Sequence, residues 1–62
     1  MGLIIETIEG RTLIQGRYVP CVPNVGEEII VFNSRYVVEK RLFSYSYCDD
    51  EDEITIYVKR VK

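Results

Sequence analysis

The chain contains no histidine and only two cysteines. Without histidine there is no ordinary general base near neutral pH and no Ser/His or Cys/His pair for nucleophilic catalysis. Two thiols without imidazole make a poor zinc site. Cys48 stands beside Asp49, whose charge disfavours the thiolate, and Cys21 lies between Pro20 and Val22 with no neighbouring base. Both thiols are expected to be structural and reduced, and sequence alone does not bring them together as a bridge. No glycine-rich phosphate loop or dinucleotide fingerprint is present. The chain is therefore expected not to be an enzyme and to need no cofactor or metal.

Other shortages narrow the setting. No apolar run approaches the roughly 20 residues of a membrane-spanning helix. Met1 to Ile5 runs directly into Glu6 without a basic leader, and Glu6 occupies the position where myristoylation wants Ser or Thr. The expectation is a soluble cytoplasmic protein. A net charge of −2 lacks the strong positive excess of a general nucleic-acid binder. Sixty-two residues make one domain, over 1–62, and a chain this short buries only about 60% of its unfolded surface. With few thiols and no zinc ligand set, stability has to come from a compact closed sheet or from a subunit interface.

What is present is β-forming. Hydrophobic residues make up 47% of the chain and are weighted towards β-branched and aromatic types. The segments 43–47 and 54–58 alternate strictly on either side of a polar loop, the period-2 signature of a hairpin with one buried face. Pairing Tyr47 with Ile54 also sets Tyr45 against Ile56 and Phe43 against Val58. A slip of one residue would oppose Tyr to Thr and Ser to Ile. Tyr36, Phe43, Tyr45 and Tyr47 are expected to fill the core or its rim.

Upstream, 3–8 and 11–19 read as strands around a turn at Glu9 and Gly10. That turn sets Ile5 opposite Ile14 and Thr7 opposite Thr12, with Gly16 marking a bulge or bend. Pro20 and Pro23 hold an extended connection, and Gly26 supplies a turn before the next strand at 28–32. Asn33 and Ser34 are expected to turn that strand into the next, pairing Val31 with Tyr36 and Ile29 with Val38. Ile30, Phe32 and Val37 then make the opposite face apolar as well. Such a strand is either buried on both sides or exposes an apolar patch. The strand from Arg35 to Tyr47 changes inward parity, which calls for a bulge near Lys40 and Arg41. The fold expected is all-β: five strands in meander order with little or no helix, closing as a small barrel.

The run Pro23-x-Val25-Gly26-Glu27-x-Ile29, followed by Tyr36-x-Val38 and Ile54-x-Ile56-x-Val58, resembles a pattern of small SH3-like barrels. The chain looks most similar to the short barrels of phages and prophages of Gram-positive bacteria. The likeness covers about the last two-thirds of the chain and rests on folding signals. Asn33 and Ser34 depart from the more usual Asn-Gly turn. The resemblance implies a five-stranded SH3-like barrel that binds a host protein or nucleic acid, and it carries over no catalytic site.

Three surface features follow. Asp49, Asp50, Glu51, Asp52 and Glu53 form an acidic run, read as a solvated hairpin tip, as a prong for a basic partner, or as calcium ligands lacking the Gly and Asp-x-Asp spacing of the familiar loop. Lys40, Arg41, Lys59, Arg60 and Lys62 gather at the other end, with Arg41 opposite Arg60 in the register above. They read as a solvated surface or as an anion or nucleic-acid site. Ile30, Phe32, Val37, Tyr18 and Tyr57 are candidates for an apolar and aromatic contact surface. The leading expectation is a non-catalytic module acting by protein–protein contact, of the phage modulator or inhibitor type, with self-association as a further expectation. The alternatives are an SH3-like nucleic-acid binder using the basic residues with Tyr57, and an oligomer holding a small anion such as a nucleotide between subunits.

Overall fold

The computed structural model describes residues 2–16, 22–47 and 51–61. Tyr18, Cys21, Cys48, Asp49, Asp50 and Lys62 lie outside the described residues. Those residues form five strands and no α-helix: β1 (Gly2–Thr7), β2 (Thr12–Gly16), β3 (Glu28–Val31), β4 (Ser34–Ser44) and β5 (Glu53–Arg60). All five join one sheet, curled as a half-barrel, in the order β2-β1-β5-β4-β3. The all-β expectation holds. The sequential meander does not, because β1 pairs with β5 in parallel and places the first hairpin beside the end of the chain. The apolar run of β1 explains the placement: flanked by strands on both edges, its Leu3 and Ile5 are buried and Ile4 is half-buried between them. Gly2 N donates to Asp52 O and Ile8 N to Val58 O, each at 2.9 Å, so the parallel ladder is bonded from the first residue of β1 to one residue past its last.

The first hairpin sets Ile5 opposite Ile14 as expected, but the irregularity falls at Leu13 rather than Gly16, and Thr12 faces Glu6. Thr7 N donates to Arg11 O at 2.8 Å and closes a loop of Ile8, Glu9 and Gly10. Gly10, at φ 99°, takes the left-handed position, and Gly10 N donates to Thr7 O at 2.9 Å. The Asn24–Glu27 turn places Gly26 at φ 95°, where a side chain would be strained. Gly26 N and Glu27 O then bond the backbone of Val38, anchoring this turn to β4.

The β3–β4 turn falls one residue earlier than expected, on Phe32 and Asn33. Both have positive φ, at 50° and 67°, and Val31 pairs with Ser34 across them. This is the pattern of a type I′ turn, whose twist suits a two-residue hairpin. The strand register therefore moves by two: Ile29 meets Tyr36, Ile30 meets Arg35 and Glu28 meets Val37. The move brings Arg35 Nε to 3.4 Å from Glu28 Oε1.

The last hairpin keeps its faces but shifts by four residues. Phe43 pairs with Ile54, Arg41 with Ile56, Val38 with Val58 and Tyr36 with Arg60. This register matches two fully buried valines and avoids setting Arg41 against Arg60. Tyr45 and Tyr47 fall outside the ladder and are exposed, correcting their assignment to the core or its rim. The parity change is real. It lies between Val38 and Lys40, where Glu39 is the extra residue. The core on the inner face is Leu3, Ile5, Val31, Tyr36, Val38, Ile54, Ile56 and Val58, with Leu13, Ile14, Val22 and Ile29 packed against it.

Candidate functional site

Two groups of apolar side chains stand outside the core: Ile30 and Phe32 on the β3–β4 hairpin, and Leu42, Phe43, Tyr45 and Tyr47 at the end of β4 and just beyond it. Ile30 is 72% exposed on the outer face of β3, and Phe32 is 79% exposed at the hairpin tip. Alternation turns Ile29 and Val31 inward, so Ile30 has to turn outward. Phe32 projects because the turn takes it out of both strands. A bulky residue at positive φ is an outlier, and this one has no core to compensate it. Val37 is half-buried opposite Glu28, and Tyr57 is half-buried opposite Lys40. The exposed member of the two sequence alternatives, an apolar patch, is the one seen, carried by Ile30 and Phe32.

The described basic residues do not form one patch. Alternation along β4 and β5 puts Lys40 and Lys59 on the outer face, opposite Tyr57 and Val37. Arg41 and Arg60 turn to the inner face, opposite Ile56 and Tyr36. The Arg41–Arg60 opposition expected from sequence is replaced by these pairings, for the reason given by the register. Lys40 Nζ lies 5.7 Å from the centre of the Tyr57 ring, and the Arg41 guanidinium lies 5.4 Å from that of Phe43. Each ring thus already carries a cation over one face.

The acidic run is likewise divided. Glu51 is exposed, but Asp52 is half-buried, and its Oδ1 accepts from Ser46 N at 2.9 Å. With its carbonyl bonded to Gly2 N, Asp52 ties the β4–β5 loop to the start of β1. Glu53 is the first residue of β5, opposite Ser44. Of the described residues of this run, Glu51 and Glu53 are exposed and Asp52 is half-buried.

A second constellation was not expected from sequence. A cavity of about 370 Å³ opens on the inner face, lined by Thr7, Glu9, Arg11, Leu13, Tyr36 and Arg60. The β1–β2 turn reaches it only because β1 runs parallel to β5, which carries the turn to the end of β5. That non-local pairing leaves no mark in local sequence patterns, so Arg11 and Arg60 could not be connected beforehand. Tyr36 is buried, yet its side chain borders the cavity. The Thr7 hydroxyl accepts from Arg11 N at 3.1 Å and so holds the turn closed.

Among the described residues no three Cys, Asp or Glu side chains are grouped to hold a metal ion. No helix there is long and apolar enough to cross a membrane. No protein-family model, curated protein or solved structure matches the chain.

Proposed function

We propose that this chain is a small, non-catalytic β-sheet protein that acts by binding a protein partner through its β3–β4 hairpin. The observation that carries the reading is Phe32: a large apolar side chain, 79% exposed, held at positive φ in a turn that prefers Asn, Asp or Gly. Stability alone favours another residue there, and backbone strain of this kind tends to persist where a surface is used. Ile30 extends the apolar area along β3, which is an edge strand of the sheet. An edge strand beside exposed apolar side chains suits strand addition by a partner or by a second copy. Kinship with the SH3-like barrels rests on the sequence resemblance; of their meander order, only the β3–β4–β5 run of consecutive antiparallel strands is present. Within that kinship, a phage-type modulator of a host factor in the cytoplasm is the setting we favour.

The substitution Phe32→Asn separates binding from folding. It gives the turn a preferred residue and should raise stability by about 0.5–1 kcal/mol. It should also abolish capture of a partner that the unaltered chain takes from host lysate, and abolish any concentration-dependent self-association. A variant that is more stable and still captures the same partner equally would defeat the reading. So would an unaltered chain that stays monomeric and captures nothing.

A further inference from the structure

Beyond the hairpin surface, the inner-face cavity collects polar groups that the fold itself does not use. The guanidinium groups of Arg11 and Arg60 have no ion pair or hydrogen bond among the described residues, although Glu9 lines the same cavity. Tyr36 is 8% exposed, and its ring belongs to the core. Its hydroxyl has no protein partner among the described residues, and it is not among buried groups lacking one, so it meets solvent. Tyr36 sits directly opposite Arg60 in the β4–β5 ladder. The hydroxyl is therefore open to a ligand as it is to water, and like charges lining one concave space repel unless neutralised. Two guanidiniums and a phenol offer donors to an oxyanion, and Leu13 adds an apolar wall. About 370 Å³ is within the range of small-molecule pockets.

We propose that this cavity binds a small molecule bearing a phosphate or carboxylate group. The anion is held between Arg11 and Arg60 with a hydrogen bond from the Tyr36 hydroxyl. The remainder of the ligand rests on Leu13 and turns a donor group towards Glu9. Guanidinium groups suit this task because their forked donors match planar carboxylate and phosphate oxygens. The site is complete within one chain and does not involve Ile30 or Phe32. Its failure and that of the protein-binding reading are therefore separate.

The test is a nuclear magnetic resonance titration of the full chain with inorganic phosphate, adenosine monophosphate and citrate at constant ionic strength. Saturable shifts confined to the cavity lining, Thr7, Glu9, Arg11, Leu13, Tyr36 and Arg60, are expected with at least one probe. Saturation by phosphate or the nucleotide alone identifies the anion as phosphate, and saturation by citrate alone as carboxylate. Arg11→Ala and Arg60→Ala should each weaken binding about ten-fold, the loss of one charge-assisted contact. Tyr36→Phe, which keeps the ring in the core, should weaken it several-fold. The outer-face pair Lys40→Ala and Lys59→Ala should change it less than two-fold. Absence of saturation with all three probes would overturn the proposal. Equal losses from the outer-face lysines, or undiminished binding in the Arg11/Arg60 double variant, would do the same.

Discussion

Strand β4 is two different strands joined at Glu39. Before the bulge, Tyr36 and Val38 lie between β3 and β5, and both are buried. After it, Lys40 to Ser44 pair, among the described residues, with β5 alone, and the inward positions hold Arg41, half-buried, and Phe43, 41% exposed. The same alternation thus makes a core in one half and an overhang in the other. Alternation decides which way a side chain points. Burial depends on whether something lies there to cover it, and among the described residues only the first half has a neighbour on each edge.

The largest effect expected from this contrast is at its buried side. Ile56→Ala, at a position with no exposed surface, should cost about 3–4 kcal/mol in denaturant unfolding, enough to threaten folding of so small a domain. Val38→Ala, paired with the equally buried Val58, should cost about 2 kcal/mol. Across the bulge the figure should fall: Phe43→Ala about 1 kcal/mol, from its half-covered ring and the Arg41 contact. Tyr47→Ala, fully exposed beyond the strand, should change stability by less than about 0.5 kcal/mol. A Phe43→Ala cost equal to that of Val38→Ala would show that the overhang is covered and would erase the contrast.

The same two halves show what could be read from the sequence. The β content, the core face of β5, the turns at Gly10 and Gly26, and a bulge in β4 were legible. Each is fixed by local alternation or by a residue's backbone preference. Register was not. A period of two forbids a slip by one residue but is blind to slips by two or four, and both β3–β4 and β4–β5 settled on such even shifts. The four-residue shift is what left Tyr45 and Tyr47 outside the ladder. Strand order was equally hidden, because nothing in Leu3, Ile4 and Ile5 states which strand will flank β1 on its second edge.

That limit carries into the candidate sites. Ile30 was visible as an outward apolar residue, since its neighbours Ile29 and Val31 had to face the core. Phe32 was visible as apolar, but not as a turn residue. The basic cluster depended on a register that did not form, so Lys40 and Lys59 parted from Arg41 and Arg60 to opposite faces. The inner-face cavity depended on the parallel β1–β5 pairing and was invisible for that reason. Local rules determine faces, and the long-range pairing determines which faces meet.

Native-state hydrogen exchange along β4 and β5 tests the contrast most directly. The hydrogen-bonded amides around Val38, Ile56 and Val58 should exchange only through global unfolding, with a denaturant dependence matching that of the whole chain. Those of Leu42 to Ser44 should exchange through local opening, many-fold faster and nearly independent of denaturant. Uniform protection from Tyr36 to Ser44 would contradict the division of β4 into a buried half and an overhang.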